Sequence, residues 1–204
     1  MKLQNLFIAA AILFATTAIN AHGGPKGGPK GGPKGSKSVS DTHTVKIEIP
    51  EVALLDIEST TSNAISLKAT APTEAGEKVE FNQTNSDLWI NYSSIVGKES
   101  TREVSVQITE GGVPDGLELS VIAREDANKG EGTTGSVAKD AIVLNDKKAA
   151  TIIKGVGSAY TGNGANKGHN LTYKIAQSKD KDSYSKLSFE QSQTITITYT
   201  LSDI

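Results

Sequence analysis

From Thr44 onward, apolar and polar residues alternate with a period of two along most of the chain. Alternation of this kind predicts β-strands with one buried and one solvent-facing side. It is clearest near the C-terminal end, where Ile195, Ile197, Tyr199 and Leu201 alternate with threonines. We expect these four side chains to line a core and the threonines at 194, 196, 198 and 200 to face outward.

The same pattern predicts about ten short strands, separated by segments rich in Gly, Pro, Asn and Asp. They fall at 45–49, 52–57, 65–67, 79–81, 88–92, 104–108, 117–121, 142–144, 151–153, 171–175 and 195–201. No long amphipathic helix interrupts them. The sequence therefore predicts an all-β fold, a Greek-key β-sandwich formed by residues 41–204.

The region before this domain has two parts. Residues 1–21 have a positive start at Lys2, a thirteen-residue apolar run at 6–18 and small residues at Ala18 and Ala21, which is typical of a secretory signal peptide. The run is too short for a permanent membrane-spanning helix. Residues 22–40 contain Gly-Gly-Pro-Lys three times, and this repeat has no apolar side chain to bury, so we expect a disordered tail. The sequence thus predicts an exported protein with no integral membrane segment after cleavage.

Charge and cysteine content narrow the class of protein. The chain has no cysteine, and it has 21 Lys and Arg against 23 Asp and Glu. Five of the lysines lie in the first 40 residues, which contain no acid, so the domain has 16 basic and 23 acidic residues and a net charge of −7. A negative domain argues against nucleic acid as a partner, because phosphate binding needs clustered cations. The location expected is periplasmic, extracellular or at the cell surface.

The segment 45–49 has two interpretations. Val45, Ile47 and Ile49 alternate with Lys46 and Glu48 between the tail and Pro50. The favoured interpretation makes it the first strand of its own sandwich, because sequential strands usually lie side by side. The alternative is that it adds to the sheet of a neighbouring subunit.

Two glycine-rich regions resemble ligand-binding motifs. Residues 130–135 match Gly-x-Gly-x-x-Gly, but the sequence around them has no strand–helix pattern, so we interpret them as a strand connection. Residues 155–168 are rich in Gly and Asn and contain Tyr160. We expect a long irregular connection there, and a ligand-binding loop is the alternative.

No residue pattern indicates catalysis, a metal site or a cofactor. The three histidines lack ligand spacing, and no serine has a nucleophile-elbow motif around it. We therefore expect a protein that is not an enzyme and holds no cofactor or metal. The candidate ligand or partner surface consists of Trp89, Tyr92 and Tyr160. For Trp89 a place in the core is favoured, although its parity opposes that of Leu88 and Ile90.

Four stretches resemble a group of uncharacterised secreted β-sandwich proteins from Bacteroidota. They are residues 49–58 (IPEVALLDIE), 88–92 (LWINY), 158–162 (SAYTG) and 194–203 (TITITYTLSD). More loosely, the terminal strand with Tyr199 is similar to the last strand of fimbrial, pilin-type subunits. This resemblance implies an immunoglobulin-like or pilin-like sandwich and a structural or adhesive surface role, with like subunits as partners. The alternative is a monomeric module that binds a surface glycan or another envelope polymer.

Overall fold

The structure, a computed structural model, describes residues 39–204. The signal peptide expected at 1–21 and residues 22–38 of the expected tail lie outside the described residues. The domain is the compact unit 47–204. Residues 39–46, taken by themselves, are exposed and have no regular secondary structure.

Nine β-strands and two short 3-10 helices form the described part of the chain. The strands are β1 (Val52–Ser59), β2 (Thr84–Ile95), β3 (Arg102–Glu110), β4 (Leu117–Ala123), β5 (Glu131–Val137), β6 (Ile142–Val143), β7 (Ala150–Tyr160), β8 (His169–Gln177) and β9 (Thr196–Asp203). The 3-10 helices are Tyr184–Lys186 and Phe189–Gln191. Every strand pair is antiparallel.

The strands form an all-β sandwich, as the alternation predicts. Hydrogen bonds join all nine strands into one continuous sheet, and we call its two halves, β1-β2-β8-β4-β6 and β5-β7-β3-β9, the two sheets of the sandwich. The sheets join where Ser93 and Ser94 of β2 pair with Tyr160 and Ala159 of β7. After β2, each successive strand lies in the opposite sheet from the one before it. Only β1 and β2 are neighbours both in sequence and in space.

The core lies between the two sheets. Its most deeply buried residues are on the central strands, including Ile90 on β2, Val104 on β3 and Leu171 on β8, each 0% exposed. The residues of β9 and just before it that were expected to face inward, Ile195, Ile197, Tyr199 and Leu201, do pack against this core, and Thr194, Thr196, Thr198 and Thr200 are exposed. The hydroxyls of Tyr173 on β8 and Tyr199 on β9 meet at 2.7 Å, which links the two sheets across the core.

Three expected strands in the N-terminal part of the described chain do not form. The described chain has no strand before Val52, and Val45, Ile47 and Ile49 are 69%, 82% and 78% exposed. The favoured interpretation of 45–49 as the first strand of its own sandwich is therefore wrong. Residues 65–67 are also not a strand, but Ile65 and Leu67 pack against the core from the β1–β2 connection. Around 79–81 there is only an isolated bridge between Thr70 and Glu80.

One strand forms where the sequence indicated a connection. The Gly-x-Gly-x-x-Gly segment 130–135 lies mostly within β5, which pairs with β7 along its length. Gly132 has φ +97°, and a Cβ there would lie 2.2 Å from the Ser158 carbonyl oxygen. These glycines let two backbones approach closely. No helix follows them, so they do not form a dinucleotide site.

A single arginine ties the strand ends together at one end of the sandwich. Arg102, at the start of β3, is 2% exposed. Its Nε donates to Asp203 Oδ1 of β9 at 2.8 Å, and its Nη2 donates to Glu51 Oε1. Its Nη1 donates to the Val52 carbonyl oxygen, to Ser94 Oγ at 3.1 Å and to the Ile95 carbonyl oxygen at 3.4 Å. One guanidinium thus holds β1, β2, β3 and β9.

We expect Arg102→Met to lower the free energy of unfolding by about 3 kcal/mol, because buried acceptors of β1 and β2 lose their donor. Arg102→Lys should cost less, since a lysine keeps the charge but not the planar set of donors. Urea denaturation of the three proteins measures the difference. Lys98→Met, in the exposed β2–β3 loop, is the matched control and should change stability by less than about 0.5 kcal/mol. Equal losses for Arg102→Met and Lys98→Met would contradict the role given to Arg102.

Candidate functional site

The loops that carry polar residues meet at one end of the sandwich. They are residues 124–130, between β4 and β5, and residues 161–168, between β7 and β8; we call this pair of loops the loop pole. The Ala127 amide donates to the Gly168 carbonyl oxygen at 2.9 Å and joins the two loops. Only the second half of the glycine-rich region 155–168 is a loop, because residues 155–160 belong to β7. The expected long irregular connection is therefore shorter than the sequence indicated.

The two loops share a tetrapeptide that the sequence analysis missed. Ala-Asn-Lys-Gly occurs at 127–130 and again at 165–168. Asn128 and Asn166 both have positive φ, +54° and +64°, and the glycine that ends each copy lies against a strand backbone. A Cβ on Gly130 would lie 1.6 Å from the Tyr160 carbonyl oxygen, and one on Gly168 would lie 2.1 Å from that of Ile90. This repeat is the feature of the sequence that indicates a similar backbone in the two loops.

A buried tyrosine–histidine pair lies beneath the loop pole. Tyr92 of β2 and His169 of β8 stack with ring centroids 5.6 Å apart, and Tyr92 Oη lies 2.8 Å from His169 Nε2. His169 Nδ1 lies 2.9 Å from the Arg124 carbonyl oxygen and therefore carries a hydrogen. Tyr92 Oη also donates to the Thr134 carbonyl oxygen of β5. The pair thus connects β2 and β8 to the loop at 124–130 and to β5.

Electrostatics keep His169 neutral near pH 7. Burial lowers the pKa of His169 below its usual 6.5, and the carbonyl of Arg124 and the carboxylates of Asp126 and Glu125 oppose that change only in part. Burial, with the same two carboxylates, also raises the pKa of the Tyr92 phenol. With the histidine proton on Nδ1, Nε2 accepts a hydrogen bond. The single phenol hydrogen then serves two acceptors, Nε2 and the Thr134 carbonyl oxygen.

The lowered pKa of His169 has a defined effect on stability. The unfolded chain binds a proton at this residue as the pH falls through about 6.5, while the folded chain resists it. The free energy of unfolding therefore has its full value above that pH, and it decreases as the pH falls because His169 binds a proton more readily in the unfolded chain. We expect a loss of about 1 kcal/mol between pH 7.5 and 5.5 in urea denaturation. His169→Gln should reduce this loss, whereas His43→Gln, at an exposed position, should keep it. An unchanged pH dependence in His169→Gln would contradict the assignment.

Two of the three residues of the candidate ligand or partner surface lie on the same face. Trp89 is half-buried on the outer face of β2, between Glu58 of β1 and Asn170 of β8, and not in the core. Tyr160, 48% exposed, pairs with Ser93, which has the same parity on β2 as Trp89. Because directly paired residues of antiparallel strands point to one side of a sheet, Trp89 and Tyr160 share the outer face.

The third residue of the candidate surface lies elsewhere. Tyr92 is 3% exposed and faces the core between the sheets. Its hydroxyl is held by the buried hydrogen bonds at the loop pole. The structure therefore does not bring Tyr92 to the surface that Trp89 and Tyr160 share.

The side of the sandwich between β1 and β9 is only partly covered. Each of these strands pairs with a single neighbour within the described chain, and the two approach each other without pairing. Most of the partly buried apolar residues around the core belong to them or to the β1–β2 connection: Leu55, Ile57, Ile65, Leu67, Ile195, Ile197, Tyr199 and Leu201. We call this side the β1/β9 flank. It presents two strand edges and a line of incompletely buried apolar side chains.

The cleft above Arg102 does not have the features of a ligand site. It encloses about 880 Å³, and its apolar wall includes Ile49, Ile95, Val96 and Ile204. The Arg102 donors already bond to Glu51, Asp203 and acceptors of β1 and β2. In residues 39–204 there is no group of three His, Cys, Asp or Glu side chains placed to hold a metal ion. The same residues include no helix long and apolar enough to cross a membrane.

Comparison of the chain with protein-family models, with curated proteins and with solved structures gave no significant match.

Proposed function

We propose that this chain is a non-enzymatic exported structural protein whose subunits associate by strand addition. The observation that carries the proposal is the exposure of Val45, Ile47 and Ile49, three apolar side chains at alternating positions around the first residues of the domain. Large apolar side chains exposed in a row are typical of a surface that another molecule covers. Their period of two suits pairing with a sheet edge.

Arg102 holds the chain in place at the C-terminal end of this segment. Glu51 and the Val52 carbonyl both bond to Arg102, so the chain leaves the sandwich at a fixed point. The segment 45–49 ends only two residues before Glu51. A short apolar segment that is anchored at its C-terminal end can reach a neighbour while its own domain stays folded.

The acceptor we infer is the β1/β9 flank of a second copy. That flank supplies strand edges with unfilled pairing positions and apolar side chains that are incompletely covered. An added strand places alternate apolar residues on the core and leaves the others in solvent. In this arrangement Val45, Ile47 and Ile49 cover residues such as Ile197 of the neighbour.

Self-association should depend on the apolar face of the segment. We expect the protein from residue 22 to form oligomers or fibres in light scattering and electron microscopy, and Ile47→Asp to remain monomeric. Thr44→Asp, an equal charge on the opposite parity, should associate like the unchanged protein. Because Ile47 is 82% exposed, its replacement should leave the melting temperature nearly unchanged. A protein that stays monomeric at high concentration would contradict the proposal.

The absence of cysteine allows a direct test of the acceptor. A mixture of Ile49→Cys protein with Ile197→Cys protein should form a disulfide-linked heterodimer. A mixture of Ile49→Cys with Val143→Cys should not, because β6 lies at the far edge of its sheet from β1. Equal cross-linking to both positions would exclude the β1/β9 flank as the specific acceptor.

A second candidate function, binding of a surface glycan, is favoured by the shared outer face of Trp89 and Tyr160. An aromatic ring offers a flat apolar surface to a sugar, and Asp56 and Glu58 on the same face of β1 offer hydroxyl acceptors. We expect Trp89→Ala to weaken binding to a purified neutral envelope polysaccharide about fivefold, roughly 1 kcal/mol. Phe189→Ala, at a position 94% exposed away from the strands, is the control and should bind normally. Equal binding by all three proteins would exclude this function.

A further inference from the structure

Two buried oxygen atoms at the loop pole have no hydrogen-bond partner. In the part of the chain that the structure describes, Asn91 Oδ1 and Asp126 Oδ1 are the only buried side-chain atoms in this condition. Asn91 is 5% exposed, and its Nδ2 donates to the Gly164 carbonyl oxygen at 2.8 Å. That bond requires a donor, so it fixes which end of the amide is the oxygen. Asp126 uses its other oxygen, Oδ2, to accept from the Asn128 amide at 3.1 Å.

The residues that carry these two oxygens, Asn91 and Asp126, belong to the same junction between loops. Asp126 precedes Ala127, whose amide donates to the Gly168 carbonyl oxygen. Gly168 in turn lies directly against Asn91, since a Cβ there would be 2.7 Å from Asn91 Oδ1. One strand residue and two loops thus converge at this point. The two side-chain atoms there that have no hydrogen-bond partner are both acceptors.

The local charge is negative and not paired. Asp126 and Glu125 act together on the buried Tyr92 and His169, which places both carboxylates at this end of the sandwich. Neither carboxylate forms an ion pair within residues 39–204. The lysines of the repeated tetrapeptide, Lys129 and Lys167, are part of the same loops but do not pair with them. A buried acceptor without a donor is costly, and a buried carboxylate oxygen more so.

We propose that the loop pole binds a divalent cation of the calcium class through Asn91 Oδ1 and Asp126 Oδ1. Both atoms are hard oxygen ligands, and the remaining positions are filled by backbone carbonyls of the loops and by water. Irregular loops suit the flexible coordination of calcium better than the strict octahedron of magnesium. With Asp126 as its carboxylate ligand the site is weak, in the range of about 10⁻⁴ to 10⁻³ M that is typical of extracellular modules. The site is independent of the strand-addition proposal.

Calcium should stabilise the folded protein. After treatment with chelator, the melting temperature of the protein should rise saturably by about 4 °C in about 10 mM CaCl₂, and by less in MgCl₂ of equal ionic strength. Titration calorimetry with CaCl₂ alone should give a dissociation constant in the range above. Asp126→Asn preserves the shape of the side chain and should abolish both effects. Asp140→Asn, which removes an exposed carboxylate elsewhere, should retain them.

Three results would overturn the proposal. The first is no rise in melting temperature and no heat of binding with CaCl₂, which would assign the two oxygens to ordered water. The second is an effect of calcium that persists in Asp126→Asn, and the third is one that disappears in Asp140→Asn. Calorimetry of the folded Asp126→Asn protein separates lost binding from lost folding, because its own melting transition is measured in the same samples.

Discussion

The closure of this sandwich depends on the buried guanidinium of Arg102. Five hydrogen bonds from one side chain reach the first strand, the end of the second and the end of the last. The acidic partners, Glu51 and Asp203, are largely exposed, so the charge is buried on one side of each pair only. The neutral acceptors of β1 and β2 therefore need this donor most. The same contact sets where the apolar segment 45–49 leaves the domain, and so links the stability of the fold to its proposed assembly.

The order of the strands explains why such a contact is needed. After β2, every connection crosses from one sheet to the other, so nearly every strand pairs with a partner distant in sequence. Such pairings close large loops before they contribute stability, and folds of this kind form slowly. The hydroxyl contact between Tyr173 and Tyr199 and the Arg102 hydrogen bonds act across these connections. The partly covered β1/β9 flank is the place where the sandwich is least complete, and it is where a second copy would add to it.

The loop pole lies at the same end of the sandwich as Arg102, because the C-terminal ends of β2 and β7 pair there, but it is built differently. Two loops with the same tetrapeptide lie over a buried polar pair, and the left-handed asparagines and close-packed glycines determine their shape. The shape leaves Asn91 and Asp126 with unpartnered oxygens and leaves Tyr92 and His169 with one hydrogen for two acceptors. A cation at this junction would satisfy the first pair and, by its charge, favour the neutral form of His169. Strand addition and ion binding would then depend on different residues at this end of the sandwich.

The sequence by itself determined the all-β class, the inward face of β9 and the strands at β1 to β4, because a period of two records which side of a strand is buried. It could not predict β5, because glycines are typical of a connection. Only the structure shows that Gly132 allows the close approach of the Ser158 carbonyl. It could not show that 45–49 forms no strand of its own sandwich, or that Trp89 and Tyr160 share one face, since both depend on which strands pair. Nor could it bury His169 against Tyr92, residues 77 positions apart, or place Arg102 among four strand ends. Local pattern reports the environment of one strand, and only the tertiary structure decides its neighbours.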